Sequence, residues 1–236
     1  MKNNLIVNLN RNFSFEKQNL FFDSEQILIN IFFTNDFFSK QQLLEKFLPE
    51  NEYQRFQKIN LCQYRKKCIT HRALLRFQLG LLLGQCPASI TIKTTQFGKP
   101  FIKKSENEIG IKFNVSHSEN FVAFAFSKSR EVGIDIEEKR ALSIFSDIAS
   151  LVLTKQELRE LDVFLPAQQR EHFLQLWTKK EAISKLWGLG LNFDFKKIAL
   201  GFSHSSQENF LEKNHLQLFT ISKPSLFYGS IAYAPC

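Results

Sequence analysis

Apolar and acidic side chains alternate along residues 132–137, and this pattern constrains the local fold more tightly than any other feature of the chain. Successive side chains of a β-strand point to opposite faces, so Asp135 and Glu137 share one face while the apolar residues share the other. The run therefore predicts a strand that points two carboxylates in the same direction. Taken alone, it is also typical of a half-buried strand with a solvated polar face.

A second acidic position lies on a predicted helix, residues 166–187. Pro166 suits the first turn of a helix, and Gly188 follows as a stop signal. Glu181 and Lys185 are four residues apart in this segment, so they are neighbours on one helix face. On their own, these two residues also fit a surface ion pair worth only ~0.3–0.5 kcal/mol.

If the helix packs on the strand, three carboxylates and one ammonium group converge. Carboxylate oxygens suit a hard divalent cation, and an ammonium suits a phosphate group. We therefore interpret Asp135, Glu137, Glu181 and Lys185 as a site for magnesium-dependent phosphate chemistry.

The same helix has a predicted core stripe, formed by Leu176, Ile183 and Trp187. At about 100° per residue, the face of Glu181 lies roughly 130° from this stripe. Trp177 flanks that face, where it either walls a cleft or packs at the edge of the stripe.

The first half of the chain reads as helices followed by strands. Residues 40–60 are predicted to be helical with a break at Pro49, and residues 61–82 form a stronger helix that ends near Gly84. The strands predicted after this helix are 90–94, 101–102, 111–115 and 121–126. The last two form a hairpin, with Ser116 and His117 in its polar turn.

The second half repeats this plan. Thr154 and Glu157 form a capping-box signature at the start of a short helix, and the long helix 166–187 follows. The strands predicted after it are 197–203, 215–221 and 226–233. We predict an α+β fold of two similar halves, residues 1–128 and 129–236, each with a small, mainly antiparallel sheet packed on a long helix.

Composition limits the class of protein. With 236 residues and 26 phenylalanines the chain can bury a substantial core, and its net charge of +8 favours an acidic partner. The four cysteines have neither zinc-site nor disulfide-scaffold spacing, which indicates a reducing compartment; they are Cys62, Cys68, Cys86 and Cys236. No signal peptide and no apolar run of about 18 residues is present, so we expect a soluble cytoplasmic protein.

Several basic and polar residues are candidates for an anion site. Ser116 and His117 could present a hydroxyl, a backbone N–H and an imidazole to an anion, or form a self-satisfied turn at the surface. Lys99 lies in a Gly-Lys-Pro turn that lacks the glycines of a P-loop. One helix also concentrates basic residues, as either a solvated face or a wall for phosphate; they are Arg65, Lys66, Lys67, Arg72 and Arg76.

Four motifs occur in a characteristic order: Gly-Lys-Pro, Phe-Asn-Val-Ser-His-Ser, Gly-Ile-Asp-Ile-Glu and Trp-Thr-Lys-Lys-Glu-Ala-Ile-Ser-Lys. Between about residues 55 and 191, the chain resembles the large, surfactin-synthetase-activating class of 4′-phosphopantetheinyl transferases. The resemblance implies a pseudo-twofold α+β monomer that holds coenzyme A and Mg²⁺ in the cleft between its halves. It makes Asp135, Glu137 and Glu181 the magnesium carboxylates and Lys185 the catalytic lysine.

By the same resemblance, Lys99, Ser116 and His117 bind the nucleotide end of coenzyme A, and Arg65 is the candidate from the first long helix. The activity implied is transfer of 4′-phosphopantetheine to a serine of an apo acyl, peptidyl or aryl carrier protein, with release of adenosine 3′,5′-bisphosphate. Either Glu137 or Glu181 would remove the serine proton. The pathway would make fatty acids, polyketides or nonribosomal peptides.

Two alternatives remain at this point. One is a basic nucleic-acid-binding module that uses residues 65–76 and surface phenylalanines. The other is a paralogue that binds coenzyme A without turnover. Neither alternative explains why three acids and Lys185 are present together.

Overall fold

The computed structural model describes residues 5–10, 15, 22–139, 145–190 and 193–235. Its helices are α1 Gln41–Glu45, α2 Glu50–Gln57, α3 Cys62–Leu83, α4 Phe145–Val152, α5 Lys155–Asp162, α6 Pro166–Trp187 and α7 His204–Lys213. Its strands are β1 Leu5–Asn10, β2 Ile27–Phe33, β3 Ile92–Thr94, β4 Pro100–Ile102, β5 Lys112–His117, β6 Phe121–Ser127, β7 Val132–Glu138, β8 Gln217–Thr220 and β9 Phe227–Tyr233. The fold is α+β, as predicted.

The two longest helices, α3 and α6, have 22 residues each and begin and end where the sequence signals lie. Gly84 and Gly188 follow them with φ of 65° and 71°, in the left-handed region that glycine adopts without steric cost. Pro166 occupies the first turn of α6. The predicted bounds of both helices are confirmed.

The capping box at the start of α5 is also confirmed, and it has a buried partner. The backbone N–H of Glu157 donates to Thr154 Oγ1 over 3.1 Å, and the Glu157 carboxylate accepts from the Thr154 N–H over 2.8 Å. The ammonium of Lys180 on α6 donates to Glu157 Oε2 over 2.6 Å, and both side chains are almost fully buried. This pair therefore fixes the start of α5 against the middle of α6.

The strands form a four-stranded sheet in the order β1-β2-β6-β5, a two-stranded ribbon of β3 and β4, and a three-stranded sheet in the order β7-β9-β8. Neighbouring strands are antiparallel except β1 and β2, which are parallel. The sequence patterns gave no prediction for β1 and β2, although β2 is buried over nearly its whole length.

Among the described residues, three apolar clusters make up the core. One packs α3 on the first sheet around Leu74 and Phe124, and a second surrounds α6 around Phe173 and Ile183. A third joins β2 and β6 of the first sheet to β7 and β9 of the second, around Ile134. The third cluster packs one face of β7, while the second packs α6 on β9, the neighbour of β7.

Two local predictions are wrong, and one helix was not predicted. Residues 197–203 do not form a strand: a short 3₁₀ turn, Phe195–Lys197, precedes them and α7 begins at His204. Ser116 and His117 are the last two residues of β5, paired with Ala123 and Val122, so they do not lie in the turn. Helix α7, which follows this segment, lies between the strands predicted at 197–203 and 215–221, where no element was predicted.

The predicted core stripe of α6 is only partly correct. Leu176 and Ile183 are buried, but Trp187 is 37% exposed. Glu181, on the face predicted to lie away from this stripe, is buried, and so is Leu174, because α6 is covered on more than one side by β7, β9 and α5.

Within the described ranges, no helix is long and apolar enough to cross a membrane. Cys62, Cys68 and Cys86 are free thiols. Cys236 lies outside the described residues.

Candidate active site

Strand β7 has one edge paired with β9 and the other covered by side chains of β5. Asn114 Oδ1 accepts the backbone N–H of Ile134 over 3.0 Å, and Ser116 Oγ accepts that of Ile136 over 3.2 Å. Because Asn114 and Ser116 are two residues apart on a strand, they point to the same side. Two backbone N–H groups on the second edge of β7 are thus bonded by side chains of β5, which holds the strand and its acids beside β5.

Helix α6 packs against β7, and its backbone approaches the strand at Gly133. A Cβ atom at this position would lie 2.1 Å from the Ala182 carbonyl oxygen and 2.3 Å from the Leu186 nitrogen, distances that no side chain can adopt. Glycine is therefore required there for the helix backbone to reach the strand. This close approach places the turn that carries Glu181 and Lys185 against Asp135.

The Lys185 ammonium bridges β5 and β7. It donates to Asp135 Oδ1 over 2.6 Å and to Ser116 Oγ over 3.0 Å, and Ser116 Oγ donates to Asp135 Oδ1 over 2.8 Å. With the Ile136 N–H, the Ser116 hydroxyl makes three hydrogen bonds, which fills its capacity of one donor and two acceptors. Ser116 is buried, and its contacts orient Asp135 and Lys185.

Glu137 and Glu181 complete a group of three interacting carboxylates. Burial, followed by the charge of Asp135, raises the pKa of both residues to about 7, and Lys185 opposes that shift. Glu181 is only 5% exposed, and the recorded hydrogen bonds of Lys185 go to Asp135 and Ser116. The interpretation of Glu181 and Lys185 as a surface ion pair is therefore wrong.

Trp177 lies beside the acids, as predicted, and it also packs in the core. Its indole N–H donates to Glu137 Oε1 over 3.4 Å, which favours the ionised carboxylate. Its ring lies 5.0 Å from that of Phe195 and is stacked on Phe173 at 6.3 Å. Trp177 thus fixes the carboxylate of Glu137 from a well-packed position.

The donor set suits a divalent cation. Asp135 Oδ2 is buried and has no hydrogen-bond partner in the described part of the chain, although such a buried oxygen normally has one. Its neighbours Glu137 and Glu181 add oxygen donors whose mutual repulsion a cation would relieve. No three His, Cys, Asp or Glu side chains among the described residues are already spaced as a metal-binding group. The three acids therefore fit an oxygen-ligated ion in type and charge. The Lys185 ammonium bonds Asp135 Oδ1 and leaves Oδ2 for the ion.

His117 is paired with a second histidine that the sequence did not single out. Its ring stacks on that of His71 at 5.4 Å and 24°, and His71 Nε2 lies 2.9 Å from Thr34 Oγ1. His117 as a residue is exposed, but burial of its ring against this neighbour, with the charge of Lys185, lowers its pKa. Burial lowers the pKa of His71 further, to about 3, so His71 is a neutral platform. The spacing of Lys67 and His71, one helical turn apart, was the available signal.

Lys99 lies at the end of α6, apart from this group. Its ammonium donates to Glu131 Oε2 over 2.8 Å and to the Leu186 carbonyl over 2.9 Å. Two cavities of about 750 and 710 Å³ lie on either side of it, and both are lined by Thr95, Lys99 and Glu131. Neither cavity is lined by Ser116 or the three carboxylates, so the structure does not bring Lys99 into contact with them.

The basic residues of α3 are largely committed to internal contacts. Arg76 is 2% exposed and donates to Glu52 and to the carbonyls of Pro87 and Ile90. Arg72 pairs with the same Glu52. Burial alone would raise the pKa of Glu52, but the two arginines lower it to about 2. These arginines form no free wall for phosphate.

Arg65 and Lys67 are held by other groups. Arg65 donates to the carbonyl of Ile59 over 3.1 Å, and within the described part of the chain it has no hydrogen bond or ion pair with the three carboxylates. Lys67 pairs with Glu119, while its charge acts on His71 and His117. Of the basic cluster, Lys67 is the residue that the fold directs toward the histidine pair.

The acid after Glu137 has a structural role that sequence reasoning did not assign. Glu138 accepts from the Ser118 hydroxyl over 2.8 Å and from the backbone and side-chain amides of Asn120 over 2.5 and 2.8 Å. These bonds tie the β5–β6 turn to the end of β7.

Comparisons with known proteins cover both sides of this site. The model of the 4′-phosphopantetheinyl transferase superfamily matches residues 131–229, which include the three carboxylates and Lys185. The model of the 4′-phosphopantetheinyl transferase N-terminal region matches residues 38–129, which include Lys99, Ser116 and His117.

Individual relatives agree with the family models. The chain is 31% identical to the 4′-phosphopantetheinyl transferase HetI of Nostoc sp. over 65% of each chain. It is 34% identical to a 4′-phosphopantetheinyl transferase of Bacillus subtilis over 50% of each chain. It is also 28% identical to the 4′-phosphopantetheinyl transferase Sfp of Bacillus subtilis over 70% of this chain and 76% of that protein. The match thus spans less than two thirds of the length of the first two relatives.

Proposed function

Because the chain belongs to the 4′-phosphopantetheinyl transferase superfamily, we propose that it transfers the 4′-phosphopantetheine group of coenzyme A to a serine of an apo carrier protein. Adenosine 3′,5′-bisphosphate is the second product. The observation that supports this activity best is the hydrogen-bonded group of Lys185, Asp135 and Ser116 beside Glu137 and Glu181. This group combines carboxylates that suit a metal ion with an ammonium that suits a phosphate.

Asp135, Glu137 and Glu181 would hold Mg²⁺ in this proposal. The buried, unpartnered Oδ2 of Asp135 and the mutual repulsion of the acids support the assignment. Bound Mg²⁺ would supply neutralisation of the pyrophosphate charge.

Lys185 would contact the phosphate that leaves with the nucleotide and stabilise or protonate it. The ammonium is already oriented by Asp135 and Ser116 and is partly exposed, so a ligand can reach it without a change in the fold. Preorganised charge of this kind lowers the barrier because little reorientation is needed when charge develops.

The proton of the carrier serine would pass to Glu181 or Glu137. In the metal-free protein both carboxyls have a pKa of about 7, and Mg²⁺ beside them would favour the ionised form that a general base needs. The Trp177 hydrogen bond favours ionised Glu137, while Glu181 has no such donor recorded in the described residues. This difference favours Glu181 as the base.

The nucleotide end of coenzyme A would lie toward His117 and Lys99. The stacked pair of His117 and His71, with Lys67 nearby, supports an anion position next to Lys185. The two cavities beside Lys99 offer room for the rest of the nucleotide. The contacts of Ser116 support a positioning role rather than direct binding, and those of Arg65 offer no support for its assignment.

A pseudo-twofold relation between residues 1–128 and 129–236 is part of the proposal, as are a monomeric state and a cytoplasmic location. Two helices of equal length, each packed on its own sheet, support the relation between the halves. The acids of β7 and Lys185 of α6 lie where β5 of the first half meets β7 of the second, which supports a site between the halves.

The alternative of a nucleic-acid-binding module is not supported, because Arg72 and Arg76 are committed to Glu52. A paralogue without turnover is not supported either, since the acids and Lys185 form a connected group.

Intact-mass spectrometry of several purified apo carrier proteins, each incubated with the protein, coenzyme A and Mg²⁺, tests the proposal. At least one carrier should gain the mass of phosphopantetheine, and a chelator should prevent the gain. A protein that is stabilised by single-stranded oligonucleotide and not by coenzyme A with Mg²⁺ in thermal melting would contradict it.

A further inference from the structure

A small cavity lies on the side of α6 that faces away from the acids. It has a volume of about 200 Å³ and is lined by Phe164, His172, Gln175, Lys179, Phe202 and Gln207. His172, Gln175 and Lys179 follow one another on α6 at spacings of three and four, so they share a helix face. Lys179 is two residues from Glu181, which places the two side chains on opposite sides of the helix.

Lys179 offers a cation without a counter-charge. Its ammonium donates to Gln207 Oε1 over 2.9 Å, and no carboxylate pairs with it or acts on it among the residues that the structure describes. The amide nitrogen of Gln207 donates to the Gly201 carbonyl over 3.1 Å, which fixes the amide with its oxygen toward Lys179. The ammonium is thus held at the cavity by a neutral group only.

The next residue shows how this chain treats a lysine whose role is purely internal. Lys180 is fully buried and is neutralised by Glu157, with the carbonyls of Val152 and Phe195 as further acceptors. A half-buried ammonium with a single neutral acceptor is less well compensated, because the partial loss of water around a charge is costly unless an opposite charge replaces it. An anion in the cavity would supply that charge.

One wall of the cavity is aromatic. The rings of Phe164 and His172 stack with centroids 3.6 Å apart and planes 15° apart, and Phe202 meets Phe164 edge-on at 5.6 Å. This wall offers ring surface to a flat group, beside a lining that is otherwise mostly polar.

We propose that this cavity binds a small organic carboxylate. The carboxylate would accept from the Lys179 ammonium, with the Gln175 amide as a second donor at the same lining, and the apolar part would pack on the wall of Phe164 and Phe202. The volume is below the roughly 300–1,000 Å³ of sites for drug-sized ligands, so the ligand is a small molecule. The site is separate from the proposed transfer site and does not depend on its function.

Titration of the 236-residue protein with benzoate, and with the neutral isostere benzamide, tests this site by calorimetry. Benzoate should bind in a saturable way and at least about tenfold more tightly than benzamide, because a charge-assisted hydrogen bond is lost in the amide. The Lys179→Met variant should lose at least about tenfold in benzoate affinity, and Lys179→Arg should retain it. The control Lys213→Met, an exposed lysine on α7, should change nothing.

The competing location is the ammonium of Lys185. Benzoate affinity that falls in Lys185→Met and persists in Lys179→Met would overturn the proposal, as would equal affinity for benzoate and benzamide or no saturable binding. If Lys179→Met does not fold, the wild-type protein still decides: the imidazole proton resonances of His172 should shift with benzoate and not with benzamide. Unchanged His172 resonances at saturating benzoate would place the ligand elsewhere.

Discussion

The Lys185 ammonium lies 2.6 Å from Asp135 Oδ1, and this contact joins the long helix of the second half to the strand that carries the acids. Ser116 of the first half bonds both groups, so three elements meet at one carboxylate oxygen. The other oxygen, Asp135 Oδ2, is buried without a partner in the described structure. One residue thus has one oxygen for the lysine and one available for a cation.

Replacement of Ser116 tests its positioning role. Ser116→Ala removes the donor to Asp135 and the acceptor for the Ile136 N–H, and it leaves buried polar groups unsatisfied. We expect a loss of about 1–3 kcal/mol in the free energy of unfolding, measured by urea denaturation. Transfer should slow while the dissociation constant of coenzyme A changes little. A large loss of coenzyme A affinity at normal kcat would show that Ser116 binds the ligand directly.

Glu181 should destabilise the metal-free protein at neutral pH. Its pKa is about 7 in the folded state and near the ordinary value of 4.5 in the unfolded state. The unfolded carboxyl therefore ionises first, so the stability present below about pH 4.5 is lost as the pH rises through about 7. Glu181→Gln should raise the unfolding free energy at pH 8 by on the order of 1–3 kcal/mol, and should have little effect at pH 4.

Magnesium provides the control for this effect. Mg²⁺ binds the ionised carboxylates of the folded state, so it should stabilise the wild-type protein at pH 8 and have little effect on Glu181→Gln. Thermal melting with and without Mg²⁺ at both pH values measures this. A Glu181→Gln protein that is less stable than wild type in EDTA at pH 8 would mean that the acid is favourably paired.

His117 should discriminate coenzyme A from dephospho-coenzyme A. We place the 3′-phosphate of coenzyme A at the anion position beside His117, so His117→Ala removes a hydrogen bond to it and should lower coenzyme A affinity about 10- to 100-fold. The affinity for dephospho-coenzyme A should change by less than about threefold, because that ligand lacks the group. Calorimetry with both ligands checks this, with the exposed His204→Ala as control. Equal losses for both ligands would remove the assignment.

The buried pair of Lys180 and Glu157 should dominate the stability of the second half. Lys180→Met leaves the Glu157 carboxylate buried without its cation, which should cost about 3–5 kcal/mol in urea denaturation. The neighbouring Lys179→Met should cost far less, because Lys179 has only a neutral partner. Similar losses for the two variants would contradict the difference between these lysines.

The sequence predicted those parts of the structure that depend on local signals. Pro166 and Gly188 delimit α6, Thr154 begins α5, and the alternation around Asp135 marks β7, all without reference to distant residues. The grouping of acids with Lys185 followed from the spacing within each element.

Contacts between distant segments were not predictable in the same way. Strands β1 and β2 lie in a Phe-rich region with no clear period, and β2 pairs with β6 nearly a hundred residues later. Ser116 and His117 look like turn residues, but β6 pairs with them and extends β5. Gly133, a glycine within an apolar strand, was a usable signal of close helix packing.

The rate of phosphopantetheine transfer by Glu181→Gln tests the central claim most directly. Glu212→Gln, an exposed acid on α7, is the matched control, and intact-mass spectrometry of a modified apo carrier gives the rate at limiting Mg²⁺. We predict that the wild-type protein and Glu212→Gln modify the carrier at the same rate. Glu181→Gln should be slower by at least about 10²-fold, because the variant weakens the hold on Mg²⁺, whose charge faces the reacting phosphate, and removes the proposed base. Transfer by Glu181→Gln at the wild-type rate would contradict the assignment of this site.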